Sequence, residues 1–142
     1  MTASLNIIGA GHVARALGRL FATSGAFEVR GVLATSHASA CGAAAFIGAG
    51  TAVAAMEGLG AADVWMLAVP DDQIAAVCAD VAATHALAGA VVFHCSGAKS
   101  SAELSAATKA GALAASVHPI RSFADPARVA RMALTGGSAA LA

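Results

Sequence analysis

Leu5-Asn6-Ile7-Ile8-Gly9-Ala10-Gly11-His12-Val13-Ala14 is the stretch whose reading decides the fold. Leu5 to Ile8 is a short apolar strand in which only Asn6 is polar, and Gly9 ends it. Gly9, Gly11 and Ala14 reproduce the spacing G-x-G-x-x-G/A. Gly9 permits a tight strand-to-helix turn, a side chain at Gly11 would keep an anion off the backbone, and Ala14 lets the helix lie close to the sheet. Gly18, one turn on, extends that close contact. Val13, Leu17, Leu20 and Phe21 fall at i, i+4, i+7 and i+8, one face of a helix that Gly25 can stop. Free N–H groups at the start of such a helix favour an anion, here the pyrophosphate of a dinucleotide.

Working outward, strands and helices alternate. Val29 to Leu33 reads as a second strand, Ser39 to Ile47 as a helix and Thr51 to Val53 as a short third strand. Val64 to Val69 is a buried strand closed by Pro70, and Asp71-Asp72 are placed to cap a helix running to Thr84. Ala90 to His94 is a fifth strand. Ser100 and Glu103 have capping-box spacing, which predicts a helix to Ala110 stopped by Gly111. Ala114 to His118 is a sixth strand, and Ala127 to Leu134 a last helical piece. This alternation predicts an α/β fold, a doubly wound Rossmann-like parallel sheet with helices on both faces.

The chain has 142 residues, of which 58% are hydrophobic and 11% charged, and that balance could suggest a membrane protein. Most of the apolar count is Ala. The uncharged run from Ala38 to Met56 holds only Phe46, Ile47 and Val53 as large aliphatic or aromatic residues. A spanning helix needs about 20 residues rich in Leu, Ile, Val and Phe, so no membrane partner is expected. The formal net charge is zero and there is no basic stripe, which removes the electrostatic ground for binding nucleic acid. The start of the chain lacks the basic segment of a secretory signal. Cys41, Cys78 and Cys95 are odd in number and form no CxxC. Free thiols in a reducing cytoplasm are expected, and with them a cytoplasmic protein.

The end of the second strand bears on which ribose is read. An NAD site places Asp or Glu about 20 residues after the glycine turn. Here the segment is Leu33-Ala34-Thr35-Ser36-His37, and no acid occurs between Glu28 and Glu57. Nothing there repels a 2′-phosphate, and Thr35, Ser36, His37 and Ser39 can donate to one. NADP is therefore the expected cofactor, with NAD less favoured. The alternative for His37 is a solvated loop residue.

Three further segments carry a family resemblance. Val64-Trp65-Met66-Leu67-Ala68-Val69-Pro70-Asp71-Asp72 resembles the fourth strand and following turn of 6-phosphogluconate-dehydrogenase-like Rossmann domains. Phe93-His94-Cys95-Ser96-Gly97-Ala98 and Val117-His118-Pro119-Ile120-Arg121-Ser122-Phe123 are similar to segments of one subgroup of that superfamily. The subgroup joins a Rossmann-like NADP-oxidoreductase domain to a C-terminal helical domain of unknown function (DUF2520). The resemblance covers residues 5–126. It implies a cofactor lying across the strand ends, with Gly9, Ala10, Gly11, His12 and Val13 at the pyrophosphate. Thr35, Ser36 and His37 would then meet the adenosine ribose, and Val69, Pro70 and Ser96 would line the path to the nicotinamide. It also implies a homodimer and a second, helical domain beginning near Ala142. Residues 1–126 are accordingly expected to be the NAD(P)-binding domain, and 127–142 a linker remnant or the start of that domain.

Hydride transfer is the nicotinamide's own chemistry, to which the protein adds orientation and a proton donor or acceptor. Ser96 and His118 are the candidate catalytic residues. Ser96 follows the fifth strand, where it can hydrogen-bond a substrate or the carboxamide, or serve only as a turn residue beside Gly97. His118 ends the sixth strand and can act as a proton donor, or be satisfied by backbone. Lys99 reads as solvated. Asp71 and Asp72 are adjacent and cannot share a helix face, and the five histidines lack metal-ligand spacing, so no metal is expected. The expected function is NADP-dependent oxidoreduction of a small carbonyl, imine or hydroxy acid. The alternatives are a non-catalytic nucleotide-binding or sensing module and a Rossmann-like S-adenosylmethionine or mononucleotide binder.

Overall fold

Each strand of the protein alternates its side chains between two apolar layers, and that alternation organises the molecule. The computed structural model describes residues 2–117. The strands are β1 (Ala3–Ile8), β2 (Phe27–Leu33), β3 (Thr51–Val53), β4 (Val64–Leu67), β5 (Val91–His94) and β6 (Leu113–Ser116). They form one parallel sheet in the order β3-β2-β1-β4-β5-β6. The helices are α1 (His12–Ser24), α2 (His37–Ile47), α3 (Ile74–Thr84) and α4 (Ser105–Lys109). Leu5, Ile7, Val64, Met66 and Phe93 pack with Leu17 and Phe21 of α1 and Ala40, Ala43 and Ile47 of α2. Ile8, Trp65, Leu67 and Val92 point the other way, onto Ile74, Cys78 and Val81 of α3, Ala107 of α4 and Leu104 just before it. Helices thus cover both faces, which a parallel sheet requires. This is the doubly wound Rossmann-like arrangement expected from the alternation of elements.

Small residues set the distance between layers. A Cβ on Gly18 would lie 2.7 Å from Ile47 Cδ1 and 3.0 Å from Ile7 Cδ1, so this glycine admits α2 as well as the sheet. Phe21 and Phe27 close the far end of α1 edge-to-face, with ring centroids 4.9 Å apart. The uncharged Ala-rich run from residue 38 to 56 is divided among α2, β3 and a 3₁₀ turn at Met56–Gly58. Among the described residues no helix is long and apolar enough to cross a membrane.

The structure departs from the expectations at four places. The strand expected over Val64 to Val69 stops at Leu67, because Ala68 turns away to pack its carbonyl against Gly9. Its N–H still bonds the Ile8 carbonyl at 2.8 Å. The helix expected from Asp71 begins as a 3₁₀ turn at Asp71–Gln73, and neither carboxylate accepts a capping bond among the described residues. The expected capping box is half made: Ser100 Oγ accepts from the Ala102 N–H at 3.2 Å and a 3₁₀ turn (Ser101–Leu104) precedes α4. The strand expected over Ala114 to His118 ends at Ser116, while His118 and residues 119–142 lie outside the described residues.

Asn6, the polar exception in β1, is fully buried and has a defined use. The register between β1 and β2 shifts after Leu5, where Arg30 is skipped. Asn6 Oδ1 accepts from the Gly31 N–H at 3.0 Å, and its Nδ2 donates to the Gly60 carbonyl at 2.8 Å. The side chain thereby repairs the ladder that the bulge interrupts.

At the other end of β1, Asp63 Oδ2 accepts from the Ser4 N–H (3.0 Å) and the Ser4 hydroxyl (3.1 Å), while its own N–H donates to Ser4 Oγ (2.9 Å). The Ser4 backbone N–H first, then the Ser4 hydroxyl, hold this carboxyl below its ordinary value of 3.8, against a smaller desolvation effect. A carboxylate with a depressed folded pKa stabilises the fold above its unfolded pKa. That contribution is lost as pH falls through the folded value. Denaturant titrations from pH 7 to pH 2.5 should therefore show a shallower acid loss of stability for Asp63→Asn than for the unmodified chain. Identical slopes would remove the link from this contact.

Candidate functional site

At the centre of the sheet, β1 is flanked by β2 on one side and β4 on the other. The chain leaves β1 and β2 toward one face and β4 toward the other, so their C-terminal ends part and a crevice opens between them. The cleft has a volume of about 850 Å³. Ile8, Leu33 and Leu67, the last residues of β1, β2 and β4, form its apolar floor.

The glycine turn runs along this cleft, and Gly9, Ala10, Gly11, His12 and Val13 all line it. Its two glycines are there for different reasons. Gly9 has φ +127°, donates to the Leu33 carbonyl at 2.8 Å, and a Cβ on it would collide with the carbonyl of Ala68. The protein's own backbone demands glycine at this position. Gly11 has φ −78° and ψ −169°, which any residue can adopt, and a Cβ there would meet no described atom within 4 Å. It is the N-cap of α1, no side chain caps the helix, and the first turn carries no acid. Among the described residues the amides at the start of α1 have no protein partner, and they face the cleft, where the helix dipole favours an anion. Arg15, which sequence inspection did not single out, donates from Nε to the Ala10 carbonyl at 2.9 Å and holds the turn from behind.

The residues expected at the adenosine ribose divide into two pairs. Thr35 and Ser39 line the cleft, whereas Ser36 and His37 do not. Ser36 is the N-cap of α2: its Oγ accepts from the Ser39 N–H at 3.1 Å and lies 2.9 Å from Ser39 Oγ. The exposed His37 ring is 3.8 Å from Cys41 Sγ, one helical turn away. The opposite wall was not foreseen. It comprises Met56 and, on one face at i, i+4 and i+7, Gln73, Val77 and Asp80. That spacing, running on from the Val-Pro-Asp turn, was the available signal.

Val69, Pro70, Cys95 and Ser96 line the cleft at the β4 and β5 ends. Burial pushes the Cys95 thiol up to about 12, which disfavours its thiolate at neutral pH. Ser96 is buried, and its Oγ accepts from the N–H groups of Ala98 (3.1 Å) and Lys99 (3.2 Å). It is thus a turn residue and a cleft residue together. His94 does not reach the cleft: its ring is fully buried, between the Ser96 N–H and the Ser100 carbonyl. Lys99 is half-buried rather than fully solvated. His118, the other candidate catalytic residue, lies outside the described residues. Among those residues no three His, Cys, Asp or Glu side chains converge to hold a metal ion.

Residues 2–119 match the family model of the Rossmann-like domain. Solved structures share the fold. A variant imine reductase from Myxococcus stipitatus in complex with NAD+ has 21% identity and a TM-score of 0.61, over 79% of this chain and 39% of its own. A reductive aminase from Aspergillus terreus in complex with NADPH has 20% identity and a TM-score of 0.59, over 83% of this chain and 40% of its own. A pyrroline-5-carboxylate reductase from Coxiella burnetii has 22% identity and a TM-score of 0.56, over 67% of this chain and 36% of its own. The chain thus spans well under half the length of these proteins. No curated protein sequence matches it.

The two glycines are separable by experiment. Gly9→Ala combines a strained φ with a backbone collision and should cost about 2–4 kcal/mol of stability. Gly11→Ala should cost no more than about 1 kcal/mol as a poorer N-cap, yet reduce dinucleotide affinity at least tenfold. Chemical denaturation and calorimetry on both variants check this; a Gly11→Ala protein that binds normally would remove the anion site from this turn.

Proposed function

Since the chain belongs to the Rossmann-like domain family, we propose that it is the NADP(H)-binding domain of an oxidoreductase. Its substrate would be a small carbonyl, imine or hydroxy acid. The observation that carries the reading is the open cradle at Gly11, where uncapped helix amides line the cleft and protein packing does not require glycine. A pyrophosphate fits there: it is an anion, it needs close approach to backbone, and it satisfies N–H groups that have no partner among the described residues.

Gly9 to Val13 would hold the pyrophosphate, and Thr35 and Ser39 would donate to a 2′-phosphate at the end of β2. Ser36, the N-cap of α2, would support that end by capping, with His37 beside it at the start of the helix. The acid-free end of β2 favours NADP over NAD, because a carboxylate there would repel the 2′-phosphate. Val69 and Pro70 would form the wall beside the nicotinamide, with Ser96 beyond them. The bound nicotinamide supplies the hydride donor or acceptor. His118, two residues beyond the end of β6, is the proposed proton donor. The C-terminal helical domain implied by the motif resemblance would complete the substrate site and the homodimer.

Calorimetric titration with NADPH, NADH and S-adenosylmethionine tests the reading. NADPH should bind at least tenfold more tightly than NADH, and S-adenosylmethionine should not bind. Thr35→Asp should reverse the nicotinamide preference, since a carboxylate then faces the 2′-phosphate. Binding of S-adenosylmethionine alone would overturn the proposal. Tight NADPH binding without turnover of any carbonyl, imine or hydroxy acid would favour a nucleotide-sensing module instead.

A further inference from the structure

His94 ends β5, is fully buried, and takes no part in the cleft lining. A buried histidine has two ring nitrogens to satisfy, and here each has one partner. The Ser96 N–H lies 3.1 Å from Nδ1, which must accept, since an N–H can only donate. The Ser100 carbonyl lies 2.8 Å from Nε2, which must then carry the proton and donate. The two contacts fix which ring nitrogen donates and which accepts. They also close a loop: the ring ties residue 96 to residue 100 across the segment Ser96-Gly97-Ala98-Lys99-Ser100.

Inside that loop, Ser96 Oγ accepts two N–H bonds, from Ala98 and Lys99. A hydroxyl has two acceptor lone pairs and one proton. With both lone pairs used, Ser96 retains only its proton to offer, and no described residue accepts it. Ser96 lines the cleft, and its proton is left for an acceptor that lies there.

The geometry points to His94 as the positioning residue that makes Ser96 an obligate hydrogen-bond donor to a carbonyl oxygen at the β4–β5 end of the cleft. In the proposed site that oxygen belongs to the nicotinamide carboxamide, and this assignment rests on the nucleotide-binding reading above. His94 touches neither ligand nor reacting atom. Its effect passes through the Ser96 N–H, which sets where Oγ stands and which way its proton points.

Two substitutions separate the ring's two bonds. Asn places an oxygen where Nδ1 stands, so His94→Asn keeps the acceptor for Ser96 and loses the bond to Ser100. Gln places an amide nitrogen near Nε2, so His94→Gln keeps the donor to Ser100 and loses the bond to Ser96. Calorimetry compares NADPH with 2′,5′-ADP, which lacks the nicotinamide half. His94→Gln should bind NADPH about five- to tenfold more weakly, the loss of one hydrogen bond, and 2′,5′-ADP as the unmodified chain does. His94→Asn should bind both ligands within about twofold of the unmodified chain. Ser96→Ala should show the same selective loss as His94→Gln, and the two combined should lose no more than either alone.

Equal weakening of NADPH and 2′,5′-ADP in His94→Gln, or equal effects of Asn and Gln, would overturn the positioning role and leave a packing residue. Retained NADPH affinity in Ser96→Ala would overturn it as well, and that variant remains informative if His94→Gln does not fold. An unmodified chain that binds neither ligand would instead fail the nucleotide site itself, and this inference with it.

Discussion

The carbonyl of Ala68 occupies the place where residue 9 would carry its side chain, and much of the structure depends on that approach. β1 and β4 are adjacent and parallel, and the Ala68 N–H continues their ladder onto the Ile8 carbonyl at 2.8 Å. One residue later the two chains must separate to opposite faces of the sheet. Gly9 reaches φ +127° to do so, donating sideways to Leu33 of β2. A single backbone position therefore joins the ends of three strands, and the cleft opens where their extensions part. An alanine there would hold β1 and β4 apart, and the floor formed by Ile8, Leu33 and Leu67 would lose its shape. The site thus follows from sheet topology before any polar group is considered.

The composition that first suggests a membrane protein has the same origin. Ala and Gly bring little apolar area per residue, so the fold gains by bringing elements close rather than by filling wide gaps with large side chains. Gly18 under Ile47, and Ala14, Ala40 and Ala43 at full burial, show how α1 and α2 use that closeness. Close packing leaves little room for solvated polar groups, and the buried ones are correspondingly specific. Asn6 closes the bulge opposite Arg30, and Ser4 closes on Asp63. Neither contributes to the cleft, yet each fixes the register of β1, and the register decides where Gly9 falls. A slip of one residue would turn Leu5 and Ile7 to the wrong layer.

The glycine turn, the order of elements and the thin third strand were legible in the sequence because each rests on local chemistry: a strand run, a spacing, a stop. Helix starts were less so. Asp71-Asp72 has the composition of a cap, but Pro70 sets the chain into a 3₁₀ turn and the carboxylates never reach the amides. Ser36 and Thr35 are neighbours with similar side chains, and only the helix that starts at His37 decides which hydroxyl is spent on capping and which lines the cleft. The wall formed by Gln73, Val77 and Asp80 was hidden for a different reason. Its helical spacing is visible, but which face of α3 looks at the cleft depends on where β4 ends, and the apolar Ala68-Val69 obscured that end.

His94 shows the limit of reading residues singly. As a lone histidine in a strand it invites either a catalytic assignment or dismissal as a core residue, and the geometry supports neither alone. Its two nitrogens are satisfied by backbone, and its ring does not line the cleft. Those same bonds determine the loop that holds Ser96 against the cleft. A hydroxyl on a free loop can exchange donor and acceptor roles at little cost, and so discriminates poorly between ligand groups. One whose lone pairs are already occupied rejects an amide N–H and donates to a carbonyl, because a third donor brought against it finds no acceptor. In the proposed site, selectivity at that end of the cleft would come from fully used hydrogen-bonding capacity around Ser96 rather than from any charge.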